Sequence, residues 1–338
     1  MKKTFAFIGA FALAIASAFA QDAVQKAAED AAAEISGAPK EEAVAPKPNY
    51  WTSSLSVSLG VNNTQLINWA AGGYNTTTLA SALDAKADYK KDLMSWNNRL
   101  QLDYGFLNSS DKEGVFQKNN DRIYLESKWA YQTGADSKLS YTASYDFRSQ
   151  FTDTPKEYTQ DAQGKWIAGD PVSGFISPAY TNLALGIQWV PNEWFNINVA
   201  PLTGGFTIVT NDLLRPSYGM KVATYAADGV TPATYKAALF QFGAQVKANL
   251  KFKINDNFTF ESQATVFTDY LAEPYFRFNW DNAIDWQLSK LIKLSFKTWM
   301  INDPNVLVTD ETTGTTSPRG WQFKEFMSFA FTYTIASK

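Results

Sequence analysis

The chain has 338 residues, with no cysteine and no histidine, and its 30 basic and 33 acidic residues nearly cancel. A balanced charge argues against a nucleic-acid partner. The missing cysteine and histidine exclude disulfides, thiolate nucleophiles, Ser-His triads and imidazole zinc sites, so we expect no metal, no cofactor and no enzymatic activity.

Residues 1–20 are predicted to be a secretory signal peptide. A basic pair at Lys2 and Lys3 precedes an apolar core at residues 5–16, which is too short to span a bilayer. A small-x-small cleavage site ends at Ala20, so the mature chain is expected to begin at Gln21.

Residues 21–49 differ in composition from the rest of the chain. They are rich in alanine and charge at first, and then carry a glycine and several prolines that break regular structure. This composition predicts a flexible periplasmic tether. The alternative is a plug that fills the following domain, but the segment has few large aliphatic side chains with which to pack.

Residues 50–338 consist of stretches that alternate apolar and polar side chains. Such a period of two places the two sets on opposite faces of a sheet, and runs of about ten residues suit a tilted membrane-spanning strand. Twelve strands are predicted, at 52–61, 76–91, 94–107, 119–133, 137–151, 177–190, 193–203, 237–254, 257–270, 276–289, 291–302 and 319–335.

The connections alternate between short turns and mostly long loops. The short turns contain Asp92, Gly134, Pro191, Asn255 and Ser289. Aromatic residues lie near them, as expected for side chains at the level of lipid headgroups. These features predict an all-β fold, a transmembrane antiparallel up-and-down β-barrel with short periplasmic turns and long extracellular loops. We expect it in the outer membrane of a Gram-negative bacterium, with outer-membrane lipid and the barrel-assembly machinery as its partners; a soluble β-sandwich is the alternative.

Charged side chains fall at the positions predicted to face the lumen. The main candidates are Arg99, Asp103, Glu126, Lys128, Asp146 and Arg148. Both signs occur in similar number, whereas an ion-selective pore would more simply carry one sign. We therefore expect these six residues to pair with one another and fill a narrow barrel. A path for a solute is the alternative.

The segment Asn68-Trp69-Ala70-Ala71-Gly72-Gly73 follows the first predicted strand. Its paired glycines suit a tight loop on the barrel rim, or else a ligand loop. Further motifs are Lys90-Lys91, Trp96-Asn97-Asn98, Ser177-Pro178-Ala179-Tyr180, Ala200-Pro201-Leu202-Thr203-Gly204, Ile208-Val209 and Gln322-Phe323-Lys324-Glu325. In these pieces the chain resembles domain-of-unknown-function family 3078, uncharacterised barrel proteins of Bacteroidota and relatives. The resemblance implies an outer-membrane barrel and no particular activity; the chain departs from most such barrels in lacking a terminal aromatic residue.

The leading functional hypothesis is a barrel that passes or binds a small solute, or that serves structurally. A histidine-free enzyme that modifies lipid or glycan is one alternative. Another is a surface-binding protein that acts through its loops at 152–176 and 204–236. The first loop carries Tyr158, Asp161, Trp166 and Asp170. The identity of the ligand stays open.

Overall fold

The computed structural model describes residues 49–64, 75–272, 275–309, 316–318 and 320–337. Twelve strands form a closed antiparallel barrel in which each strand pairs with its neighbours in sequence and the last pairs with the first. They are β1 (Trp51–Thr64), β2 (Thr76–Lys91), β3 (Met94–Ser109), β4 (Phe116–Gln132), β5 (Leu139–Ser149), β6 (Ala179–Asn192), β7 (Phe195–Ile208), β8 (Ala238–Asn255), β9 (Phe258–Asp269), β10 (Phe276–Gln287), β11 (Ile292–Asn302) and β12 (Trp321–Ser337). The predicted fold class and strand number are confirmed.

Three predicted features lie outside the described residues. They are the signal peptide at residues 1–20, nearly all of the tether at 21–49, and the loop that contains Asn68, Trp69, Gly72 and Gly73.

The period of two sets the direction of every side chain in the barrel wall. Outward positions hold exposed apolar residues such as Leu183, Val199 and Phe331. Hydrogen bonding around a closed ring leaves no strand edge, which is the condition for a sheet to lie in lipid. Aromatic residues gather near the short turns, where Trp51 packs against Trp96, as predicted for the headgroup level.

Among the described residues, no helix is both long and apolar enough to cross a membrane.

Strand β7 continues five residues beyond its predicted end at Thr203. The register with β8 shifts between Ala200 and Thr203, where the chain contains Pro201. Proline lacks the N–H that a regular ladder needs, and a bulge accommodates it without ending the strand. Pro201 thus lies at a bulge within the strand.

The long loops pack on one another at one end of the barrel. We call residues 150–178, 209–237 and 303–307 the loop cap. Its small apolar core contains Val209, Leu214 and Met220. Tyr218 donates a hydrogen bond to the carbonyl of Val172 at 3.0 Å, and the N–H of Leu307 donates to Ser217 at 3.2 Å. The three loops are therefore tied together above the lumen.

Candidate functional site in the lumen

Salt bridges fill the middle of the lumen. They join Arg99 to Asp84 and Glu261, Lys247 to Glu126, Lys297 to Asp103, and Arg122 and Arg148 to Asp281. We call these residues the ion-pair layer. Their side chains project inward because each lies at a position that alternates with the apolar outer face.

Two of these pairs cross the whole lumen. Arg99 on β3 lies 3.4 Å from Glu261 on β9, and Arg122 on β4 lies 3.4 Å from Asp281 on β10. Each pair joins strands six places apart in a ring of twelve, which are diametrically opposite. The side chains therefore bridge the lumen at this level instead of lining an open channel.

Tyr124 lies at the centre of the layer and is only 2% exposed. Its hydroxyl donates to Glu126 at 2.8 Å, and the guanidinium groups of Arg122 and Arg148 lie 4.9 and 5.1 Å from its ring centre. The ring makes a cation–π contact with each guanidinium group, and these contacts help to stabilise two positive charges close together. Sequence analysis missed Tyr124, although its position two residues before Glu126 on β4 already marked it as inward-facing.

Five of the six predicted lumen residues have partners outside their own set. Arg99, Asp103, Glu126 and Arg148 belong to the ion-pair layer, and Asp146 accepts a hydrogen bond from Asn182 at 3.0 Å. Lys128 is half-buried on the same face of β4 and takes no part in these pairs. The expectation that the six would pair with one another is wrong. Long side chains in a narrow barrel point to the axis and reach the opposite wall.

A chamber of about 410 Å³ lies between the ion-pair layer and the loop cap. Its wall includes Tyr180, Asn182, Gln245, Phe267, Arg277 and Asn279. Arg148 and Lys247 border it from the ion-pair layer, while Ser173, Tyr218 and Val306 border it from the loop cap. The chamber is thus bounded at both ends by side chains of the chain itself.

The chamber is lined by equal numbers of positive and negative side chains. Its lining includes three cations, Arg148, Lys247 and Arg277, and three acids, Asp121, Asp146 and Asp303. Arg277 stacks 4.8 Å from the centre of the Phe267 ring and lies 3.9 Å from Asp303. Asp121 accepts hydrogen bonds from two backbone N–H groups at the start of the loop cap. These charged groups stabilise the wall by their contacts within the protein. The groups left to contact a ligand are therefore mainly amides and hydroxyls.

Two tyrosine hydroxyls bonded to the loop cap are neutral. Burial raises the pKa of Tyr218 to about 12, so its hydroxyl stays protonated and serves as the donor to Val172. Burial also raises the pKa of Tyr275, which accepts a hydrogen bond from Asn305 of the loop cap at 2.6 Å.

The residues proposed for a surface-binding loop form a hairpin. Tyr158–Gln160 pairs with Trp166–Ala168, and Asp161 accepts from the N–H groups of Gln163 and Lys165 across the turn. Asp161 therefore has a structural role as a turn cap. Within the described part of the chain, no group of three or more acidic side chains is arranged to hold a metal ion.

Residues 61–154 match a known family. Its description is "Protein of unknown function (DUF3078)", so the predicted resemblance is confirmed over this segment and brings no activity with it. The match spans β2 to β5 and includes the ion-pair residues Arg99, Asp103, Glu126 and Arg148.

Solved structures resemble the chain only distantly. An outer membrane channel from Pseudomonas putida F1 is 10% identical, with 89% of this chain and 100% of that chain covered and a TM-score of 0.35. The translocator domain of the autotransporter NalP from Neisseria meningitidis is 11% identical, with 92% and 97% covered and a TM-score of 0.34. The NanC porin is 8% identical, with 84% and 97% covered and a TM-score of 0.33. No curated protein matches the chain.

Proposed function

We propose that this protein is an outer-membrane barrel of a Gram-negative bacterium that binds a small, neutral, polar solute in its lumen and admits it slowly. The observation that carries the proposal is the 410 Å³ chamber that lies against salt bridges joining opposite walls. Long loops of such barrels face the exterior, so the chamber would take its solute from outside.

The chemistry of the wall favours a neutral ligand. The charged groups of the wall already have partners, so an ion in the chamber would have to displace one of them or remain uncompensated in a confined space. A polyhydroxylated solute can instead bond to the side chains of Asn182, Gln245 and Asn279 without disturbing the pairs. Release towards the periplasm then requires rearrangement of the ion-pair layer, which makes passage slow and selective.

The test compares two neighbouring positions on β8. Gln245→Trp places a large ring in the chamber, whereas Val246→Trp places the same ring on the outer face. In proteoliposome swelling with neutral sugars of increasing size, we expect Gln245→Trp to abolish uptake and Val246→Trp to preserve it. A steady, sign-selective ion conductance of the unmodified protein in a planar bilayer would overturn the proposal and make the barrel an open pore.

A further inference from the structure

A row of polar side chains crosses the outer, apolar face of four consecutive strands. Ser262 on β9 pairs with Asn282 on β10, Asn282 pairs with Thr298 on β11, and Thr298 pairs with Glu325 on β12. We call these four residues the polar row. They alternate with inward residues, so they lie on the same face as the exposed aromatic residue Trp280.

Glu325 is the member of the row that most needs a partner. Phe323 and Met327, its outward neighbours on β12, are 62% and 68% exposed. Glu325 is itself exposed and makes no hydrogen bond or salt bridge with any described residue. A carboxyl group facing hydrocarbon is costly, because acyl chains offer it neither hydrogen bonds nor counter-charge.

We propose that the polar row is the contact surface between two copies of this chain in the membrane. The row carries its own donors beside the acceptor Glu325. Asn282 donates one amide N–H to the Thr298 hydroxyl at 3.2 Å and has a second N–H, and that hydroxyl can donate its own proton. In a two-fold dimer the carboxyl of each copy reaches the donors of the other, and the contact forms twice. A second copy inserted in the same orientation presents those donors at the same depth in the bilayer.

The apolar residues around the row fit the same arrangement. Three outward side chains of β12 are more exposed than those of β6, the strand diametrically opposite: Trp321, Phe323 and Met327 are more than 60% exposed, while Leu183 and Leu185 are 54% and 45% exposed. Protruding aromatic and methionine side chains provide the packing surface of an interface, and methionine adapts to an irregular partner. This inference concerns the outer face and does not depend on the function proposed for the lumen.

Cross-linking tests the proposal directly, because the chain contains no cysteine and a single introduced cysteine reports one position. In native outer membranes treated with a short bis-maleimide, we expect most of the Met327→Cys protein to be converted to a cross-linked dimer of twice the chain mass. Leu185→Cys on β6 also faces outward but lies across the barrel, so it should remain monomeric. A product joined to a different polypeptide, or equal products from both variants, would overturn the proposal.

The carboxyl group itself is tested in the same Met327→Cys background. Glu325→Leu should lower the cross-linked fraction at least tenfold, whereas Glu325→Gln keeps a hydrogen-bonding group and should retain most of it. Thr181→Leu, an outward polar residue on β6, serves as the control and should change nothing. If Glu325 simply faced lipid, Glu325→Leu would leave cross-linking unchanged and raise the melting temperature, and that result would also overturn the proposal.

Discussion

At the scale of single residues, Arg99 illustrates how this barrel is held closed. Its guanidinium group lies 2.6 Å from Asp84 on the adjacent strand and 3.4 Å from Glu261 on the opposite wall. Arginine suits this place because its planar group can serve two carboxylates at once and is not deprotonated in proteins. Its side chain and that of Glu261 are each 28% exposed, so water screens the pair only in part.

Removing Arg99 should therefore destabilise the barrel. We expect Arg99→Ala to cost between the ~1 kcal/mol of an exposed pair and the ~3–5 kcal/mol of a broken buried pair. The measurement is the urea midpoint of the folded, heat-modifiable band on gels. Lys253→Ala, at an exposed inward position near a short turn, is the control and should keep the original midpoint. Identical midpoints for the two variants would show that the ion-pair layer does not stabilise the fold.

At the scale of elements, the side chains of each strand alternate between the lipid-facing and the lumen-facing side of the wall. Val246 lies on the outer face of β8, while Gln245 lines the chamber. We expect Val246→Arg to cost about 2–4 kcal/mol if it lies near the middle of the bilayer and so to block folding into membranes. Gln245→Arg should fold, and the efficiency of refolding into vesicles measures both. Equal folding yields would contradict the assigned faces.

The loop cap permits a test by titration. Because the folded pKa of Tyr218 is raised to about 12, above the roughly 10 of a free tyrosine, the folded state holds this proton more tightly. The resulting stabilisation is complete below pH ~10 and is lost as the pH rises through about 12. We expect Tyr218→Phe to remove an absorbance step near pH 12 and not one near pH 10. Loss of a step near pH 10 would show that Tyr218 is open to solvent.

At the scale of the whole molecule, we expect the two diametric pairs to keep the barrel from conducting ions. The double variant Arg99→Ala/Arg122→Ala removes both diametric pairs and leaves the carboxylates of Asp84, Glu261 and Asp281 in place. A wall with excess negative charge selects cations. We therefore expect this variant to show cation-selective conductance steps in planar bilayers, and we expect none from the unmodified protein.

A matched control removes the same charge without opening the lumen. Lys251 and Lys293 pair with Glu261 and Asp285 on adjacent strands, so neither pair crosses the barrel. Lys251→Ala/Lys293→Ala should stay closed. If this control also conducts, then the net charge of the lumen, and not the diametric salt bridges, prevents conductance in the unmodified protein.

What the sequence by itself determined is the wall of the barrel. Strand number, strand order and the face of each side chain follow from a period of two and from turn residues, and both signals are local in the chain. For example, inward placement of Arg99 followed from its alternation with the apolar residues Leu100 and Leu102. The family match over residues 61–154 agrees with the same local pattern.

Only the tertiary structure decided which residues meet across the lumen. Arg99 and Glu261 are 162 positions apart, and their meeting depends on how strand tilt and stagger set the diameter when the ring closes. The chamber likewise exists because separate loops pack over it, with Tyr218 bonded to Val172. The polar row lines up only through the register of four strands, so Glu325 read alone was one carboxylate among 33 acidic residues. Alternation sets the face on which a side chain lies, and closure of the barrel sets its partner.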